Sequence, residues 1–207
     1  MIKFKKAAMF GLDARIALAI FGALSVISGA ALYSAIQDAK AVALLSEMTE
    51  VGKAWEQYYL DTGQSLPQLH ATNTNPNFYR LKTTDLAVNS TSVSGWNGPY
   101  ISYSPDSNYL AHPSYRFITI DTLTSETWGG VNLDDPLTKG ACTSGKSCYT
   151  YVMINGVPDD SMAKVIDARV DGSDGADAGR FRWWDNSSSS YKVRYYLQVG
   201  VTKNPND

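Results

Sequence analysis

Four aspartates form the group of side chains in this sequence that is best suited to bind an ion. Asp167, Asp171, Asp174 and Asp177 are spaced four, three and three residues apart within DARVDGSDGADAGRFRW. Hard cations such as calcium take six to eight oxygen ligands, from carboxylates and from backbone carbonyls. The glycines of this stretch favour a loop, whose carbonyls can turn inward. A solvated turn with local hydrogen bonds to its own backbone fits the same pattern, so the segment is a candidate calcium site and no more.

Two cysteines are the second group with chemistry of their own. Cys142 and Cys148 stand as C-x5-C in KGACTSGKSCY. In a chain exported across a membrane, a lone pair at short spacing indicates a disulfide. Two free thiols in a reducing compartment are the alternative. Redox-active pairs normally have the C-x-x-C spacing, so a catalytic role is not expected.

No combination of side chains in the sequence has the pattern of a catalytic site. The two histidines, His70 and His112, lie far apart and neither is part of a recognisable triad. The sequence contains no G-x-S-x-G, no P-loop and no dinucleotide fingerprint. We therefore expect that the protein is not an enzyme. Four tryptophans could line a binding face, although such residues usually lie in cores or interfaces; they are Trp96, Trp128, Trp183 and Trp184.

Composition sets the size and the class of the molecule. The chain has 207 residues, of which 44% are apolar, enough for one domain with a core and an appendage, or for two small domains. Lys and Arg number 18 against 20 Asp and Glu, which gives a net charge of −2. Because proteins that bind nucleic acids normally show a basic stripe, no nucleic-acid partner is expected.

A long uncharged segment near the N-terminus determines on which side of a membrane the aspartates and cysteines lie. From Ile16 to Gln37 the sequence holds 22 residues without a formal charge. About 20 apolar residues span the hydrocarbon layer as a helix. Lysines precede this segment, so the positive-inside rule puts the N-terminus in the cytoplasm and the rest outside. Three interpretations of this segment are open: a signal peptide that is cleaved off, a plain signal anchor, and a helix that is kept and continues into the following domain.

The helical pattern continues past the membrane segment. Apolar residues recur three or four positions apart, at Ala41, Leu44, Leu45, Met48, Val51, Trp55, Tyr58 and Tyr59. This spacing predicts an amphipathic helix that packs one face on a domain. Gly63 is suited to a left-handed helix end, and Pro67 prevents continuation. We expect one helix from about Asp13 to Leu60.

The remaining sequence predicts an α+β domain. Residues 64–100 are rich in turn-forming residues and should contain little regular structure. Alternating segments predict strands at Tyr115–Thr122, Ser147–Asn155, Arg180–Trp184 and Tyr191–Val201, the last two joined as a hairpin through 185–190. A short helix, SMAKVIDARV, follows Asp159 and Asp160, either of which suits an N-cap. The fold class is a long helix packed on a small antiparallel sheet.

These features together resemble type IV pilins and type II secretion pseudopilins. The resemblance rests on a short basic leader ending in Gly11, the apolar helix directly after it, its continuation through WEQYYLDTGQSLP, and GWNGPYI at Gly95–Ile101. It implies a pilin-like fold, peptidase cleavage after Gly11 and methylation of Leu12. The implied organisation is a leader at 1–11, a helix at 12–62 with a transmembrane segment at about 16–37, and an extracytoplasmic globular domain at 63–207.

The resemblance also implies a function and partners. It points to a structural subunit of a type IV pilus or of a type II secretion filament, major or minor, with no preference between the two assemblies. The partners would be copies of itself or related pilins, the prepilin peptidase, an inner-membrane assembly platform and membrane lipid. The protein would reside in the inner membrane as a single-pass protein before entering a pilus or a periplasmic filament. The alternative is a monomeric membrane-anchored periplasmic binding protein.

One departure from the family affects the assembly residues. The family usually has Glu at the fifth mature position, where this chain has Ile16. Asp13, beside Arg15, is the nearby acid. Asp13 either replaces that carboxylate in assembly, or pairs with Arg15 or with its own terminal amine. Calcium-binding loops occur in the family, so the resemblance also favours calcium at the four aspartates.

Overall fold

A computed structural model describes residues 7–131, 135–186 and 193–207. The helices are α1 (Ala7–Thr62), α2 (Pro136–Lys139) and α3 (Ser161–Val170). The strands are β1 (Arg80–Leu81), β2 (Pro105–Asp106), β3 (Tyr109–Ala111), β4 (Phe117–Thr124), β5 (Gly130–Val131), β6 (Cys148–Val157), β7 (Phe181–Asp185) and β8 (Val193–Thr202). The lysines of the leader, residues 187–190 of the expected 185–190 connection and the first two residues of the predicted last strand lie outside the described residues.

The first part of α1 is an apolar helix whose side chains are uncovered. The chain divides into two compact units at Lys40 and Ala41. Between Ile16 and Ile36 the large apolar side chains are 44% to 73% exposed. An 18-residue window of α1 has a mean hydropathy of 2.1 and is apolar enough to cross a membrane. None of it is buried, whereas the core helix of a soluble protein would be mostly buried.

The second part of α1, from Ala41 onward, belongs to the second unit and supplies side chains to its core. The predicted stripe is buried at Ala41, Leu44, Met48, Val51, Trp55 and Tyr58, and Ala54 is buried beside it. Tyr59 was expected on this stripe but is half exposed, because each helical residue turns by about 100° from the one before. Residues 7–12 are also helical, so the helix is already present ahead of the expected start near Asp13.

Gly63 ends the helix as the sequence predicts. Its φ of +67° lies in the left-handed region, where glycine carries no Cβ penalty. Its backbone N–H donates to the carbonyl of Tyr59 at 2.8 Å. This bond satisfies one carbonyl of the last helical turn, which would otherwise lack a partner.

The sheet confirms the α+β prediction. Its strand order is β2-β3-β4-β6-β8-β7-β5, with β1 also paired to β4. All pairs are antiparallel apart from β5 with β7. The four predicted strands correspond to β4, β6, β7 and β8, and their described ends differ from the prediction by one or two residues. Residues 64–100 contain two 3-10 turns and β1, which the sequence did not predict.

Both faces of the central strands are covered. All eight residues of β4 are buried. On one face, Ile120 and Val152 form a cluster with the buried stripe of α1. On the other face, Tyr151 and Tyr196 form a second cluster that includes Trp128. The sheet is therefore the middle layer between two hydrophobic cores.

Candidate metal site and membrane-spanning segment

Three aspartates come together where α3 ends. Asp167 lies in α3, Asp171 is its C-cap, and Asp174 lies in the loop that follows. Each offers a carboxylate oxygen, and these oxygens all lie within 4.8 Å of one another. Asp177, the fourth expected ligand, is not in this group. A continued helix would have kept all four on one face, but α3 ends at Val170 and the glycine-rich loop follows a different course.

Backbone N–H groups hold one oxygen of two of these carboxylates. Asp171 Oδ2 accepts from the N–H groups of Arg180 at 2.9 Å and Phe181 at 2.6 Å. Asp167 Oδ2 accepts from the N–H of Gly175 at 3.2 Å. Because Phe181 is the first residue of β7, the carboxylate of Asp171 links the end of α3 to the start of that strand.

Gly179 is required where the loop passes this group. Its φ is +67°, and a Cβ at this position would lie 2.6 Å from Cγ of Asp171 and 2.5 Å from Oδ2 of Asp174. Any side chain here would collide with the carboxylates. The glycines of the sequence predicted a loop, and the structure shows that Gly179 is the one that lies against the carboxylates of Asp171 and Asp174.

Asp167 is the buried member of the group. Its residue is only 3% exposed, and its Oδ1 has no hydrogen-bond partner. Burial raises the pKa of Asp167, and the neighbouring carboxylates of Asp174 and Asp171 raise it further, whereas the N–H of Gly175 lowers it. The site therefore disfavours negative charge unless a cation compensates for it.

The nearby Arg182 is committed to other partners. Its guanidinium donates to the carbonyls of Gly179, Ser125 and Glu126. Burial lowers the pKa of Arg182. Among the described residues, no Lys or Arg lies within 4.0 Å of the carboxylates of the three aspartates as an ion pair.

The predicted disulfide is present. Cys142 and Cys148 are bonded, with their Cα atoms 5.8 Å apart. Both residues are buried in the second hydrophobic cluster. Asn206 Nδ2 donates to the carbonyl of Cys142 at 2.7 Å, which attaches the C-terminal segment to this loop.

The residues expected to serve processing and assembly all lie in α1. Gly11, Leu12, Asp13 and Arg15 are helical, and Asp13 and Arg15 are exposed. No salt bridge joins Asp13 to Arg15, because residues two apart on a helix do not face each other. Of the alternatives for Asp13, the pairing with Arg15 is therefore absent from this structure.

The WNGPY segment contacts the end of α1. The ring of Tyr100 lies 5.8 Å from that of Tyr58 and 5.6 Å from that of Trp96, both edge-on. Trp96 Nε1 donates to the carbonyl of Asp85 at 2.7 Å. This segment, on which part of the resemblance rests, is therefore a packing element in this chain. The other tryptophans considered as a binding face are buried, at Trp128, Trp183 and Trp184.

An apolar groove lies beside the last turns of α1. Trp55, Tyr59 and Leu60 line it together with Val201 of β8, and its volume is about 560 Å³. Tyr59, Leu60 and Val201 are exposed. Periodicity alone does not reveal this groove, because it assigned Tyr59 to the core.

Comparisons with known proteins identify no relative of this chain. The chain matches no family model, no curated protein and no solved structure. Inference about function therefore rests on the residues and on their geometry.

Proposed function

We propose that this chain is a membrane-anchored structural subunit of pilin or pseudopilin type. It would be processed after Gly11 and assembled through its N-terminal helix into a type IV pilus or a type II secretion filament. The observation that supports this most directly is the course of α1. The uncovered apolar segment at 16–36 and the buried stripe at 41–58 belong to one uninterrupted helix.

A shared helix couples the anchor to the domain. Burial of Met48, Val51 and Tyr58 makes the second part of α1 inseparable from the domain core. The large apolar side chains of the described segment are exposed, so we expect lipid or neighbouring helices to cover them. Exchange of lipid for helix contacts in a filament is a structural function that needs no catalytic residue.

Two glycines support close helix packing in such an assembly. A Cβ added at Gly22 or Gly29 would meet no atom within 4 Å. They are seven residues apart and therefore near one face of the helix. Small residues let helix backbones approach closely in a membrane, where packing drives association.

The disulfide supports an extracytoplasmic domain. Structural disulfides persist in oxidising compartments and are rare in the cytosol. The Cys142–Cys148 bond lies in the unit that follows the apolar segment. The lysines before Ile16 are consistent with a cytoplasmic N-terminus under the positive-inside rule.

The second candidate is a monomeric membrane-anchored binding protein. The groove beside Trp55 and Leu60 favours it, because concave apolar surfaces are typical of ligand sites. This candidate needs the same anchor but neither cleavage after Gly11 nor contact between copies.

Processing of the N-terminus tests the proposal. We would express the full chain with a prepilin peptidase and measure the intact mass of the membrane-bound protein. The wild type should begin with a methylated Leu12, and Gly11→Ala should retain the leader. Gly22→Ala is the matched control and should be processed normally. A wild-type protein that begins at Met1, or beyond Ala31, would contradict the proposal.

Whether copies of the chain assemble into filaments distinguishes the two proposed functions. Electron microscopy of sheared material should show filaments of wild-type protein, and Asp13→Asn should reduce their number if Asp13 serves assembly. Glu56→Gln removes a charge outside the apolar segment and is the control. A protein that is cleaved and methylated but stays monomeric in the membrane would favour the tethered binding protein.

A further inference from the structure

We propose that the apolar groove beside the last turns of α1 is a contact between two copies of this chain, which pair about a twofold axis. In such a pair each copy presents the same surface to the other. The contact lies within the second unit and closes at two copies. It is therefore distinct from open-ended assembly through the N-terminal helix, and it holds whether or not the chain enters a filament.

The exposed apolar side chains of the second unit are concentrated at this groove. Among the residues of this unit that the structure describes, five large apolar side chains are exposed. Three of the five line the groove, and they are Tyr59, Leu60 and Val201. The other two, Val42 and Val88, do not line it. Single exposed apolar residues are common, whereas a cluster of them marks an interaction surface.

The surface combines a recess with side chains that project into solvent. Trp55 is only 8% exposed, and a Cβ at Gly200 would lie 2.8 Å from Cζ3 of its indole. The ring therefore lies against β8 because Gly200 has no side chain, and the recess beside it has a volume of about 560 Å³. Leu60 and Val201, by contrast, are 72% and 75% exposed. A second copy can insert these projecting side chains into the recess of the first, and the exchange is mutual.

The charges of the groove are self-complementary. Glu56 and Lys203 both line it, and neither forms an ion pair within 4.0 Å with any residue that the structure describes. A twofold axis that passes between these two residues brings Glu56 of each copy to Lys203 of the other. Opposite charges across an interface fix its register and exclude wrong partners. A partner of a single charge sign gains no such match, because the groove carries one charge of each sign.

The remaining lining has the composition of a protein interface. Aromatic residues are enriched in such interfaces and often supply most of the binding energy, and here they are Trp55 and Tyr59. Ser65 and Thr202 add hydroxyl groups, which can donate or accept hydrogen bonds across the contact. The groove therefore offers apolar area, charge pairing and hydrogen bonding to a copy of itself.

Mixing of two charge-reversal variants tests the proposal. Sedimentation velocity of the full chain in detergent micelles, over a range of protein concentrations, should show a monomer–dimer equilibrium for the wild type. Glu56→Lys alone and Lys203→Glu alone should each weaken pairing at least tenfold, because the symmetry brings like charges together at two points. An equimolar mixture of the two variants should pair as tightly as the wild type, since each variant supplies the charge that the other lacks.

The mixture separates a contact between copies from one inside a chain. An attraction between Glu56 and Lys203 of the same chain would be restored when both reversals are made in one chain, but not when the two single variants are mixed. A mixture that does not recover would therefore overturn the proposal. Single variants that pair as tightly as the wild type would overturn it as well.

The apolar part of the contact has its own variant and control. Leu60→Ser should fold normally, because this side chain is exposed, and should weaken pairing at least tenfold, because each pair loses the leucine twice. Val88→Ser removes an exposed valine outside the groove and should pair as the wild type does. Equal pairing by Leu60→Ser and the wild type would contradict the proposal.

Two further readouts separate this contact from the functions proposed above. A wild type that stays monomeric and binds anilinonaphthalene sulfonate less tightly after Leu60→Ser would assign the groove to a small apolar ligand and overturn the proposal. The charge variants should leave the number of filaments unchanged, since that assembly uses the N-terminal helix. An unprocessed chain without filaments that still pairs through the groove would support this contact and contradict the filament. A filamentous chain whose single charge variants pair as the wild type does would show the reverse.

Discussion

His112 Nε2 donates a hydrogen bond to Oε2 of Glu47 at 2.9 Å and joins the chain before β4 to α1. The imidazole is buried, and its Nδ1 accepts from the N–H groups of Ser114 and Tyr115, both at 3.0 Å. Because Nδ1 accepts from these two donors, the hydrogen of the ring lies on Nε2, which faces Glu47. The sequence showed His112 only as an isolated histidine before a proline, so this contact could not be predicted.

Loss of the Glu47 acceptor should destabilise the domain. Glu47→Ala leaves the buried N–H of His112 without a protein partner and should lower the free energy of unfolding by about 1–2 kcal/mol. Glu47→Gln keeps an acceptor oxygen and should cost less than half as much. Urea denaturation measures both values, and equal losses in the two variants would show that this hydrogen bond contributes nothing.

A methyl group at Gly52 should disrupt the packing of α1 on the sheet. Its Cβ would lie 2.7 Å from Cγ1 of Val199. Overpacking of about 1–3 kcal/mol opposes the roughly 1 kcal/mol that alanine gains over glycine inside a helix, so Gly52→Ala should destabilise the domain by about 1–2 kcal/mol net. The same change at Gly29 meets no atom within 4 Å and should leave the unfolding of the domain unaltered. Thermal unfolding in micelles measures both; if Gly52→Ala behaves like Gly29→Ala, the close contact is absent.

Asp121 should make the domain less stable as the pH rises from 4 to 7. Burial raises the pKa of this carboxyl to about 6, against the attraction of Arg80 and Arg194. The native state therefore holds the proton more tightly than the unfolded state does. The stability that Asp121 contributes is fully present below about pH 4 and is lost as the pH passes about 6, by roughly 3 kcal/mol.

Asp121→Asn isolates this effect. Other carboxylates have the opposite dependence, such as Asp159, whose pKa is lowered chiefly by hydrogen bonds from Ser161. They contribute equally to both proteins and cancel in the comparison. Urea denaturation at several pH values should show the wild type losing stability relative to Asp121→Asn between pH 4 and 7. A difference that stays constant or grows in favour of the wild type would contradict the prediction.

Long periodic segments were predictable from sequence because their burial is one-sided or complete. The stripe from Ala41 to Tyr58 repeats every three or four residues, and the alternation in FITIDT gave a strand within two residues of β4. Short elements lack a period. The strands β1, β2, β3 and β5 have two or three residues each, so only their neighbours determine that they pair.

Alternation did not reveal that the second face of the sheet is covered. Thr119 and Asp121 alternate with isoleucines as though they faced water, yet both are fully buried. Residues distant in sequence, such as Tyr79, form the second layer over them. The aspartate site shows a related limit: the spacing identified four candidate ligands and the glycines indicated a loop after the short helix, but neither could show that the course of this loop leaves Asp177 out of the group.

Burial on both sides of the central strands restricts how this domain can recognise anything. Strand β4 presents no accessible side, and β6 has only two partly accessible residues. A surface for recognition must therefore come from connecting segments, outer strands and helix ends. Those regions tolerate insertions and substitutions without altering the register of the sheet, so related chains could change their binding specificity while keeping the same scaffold.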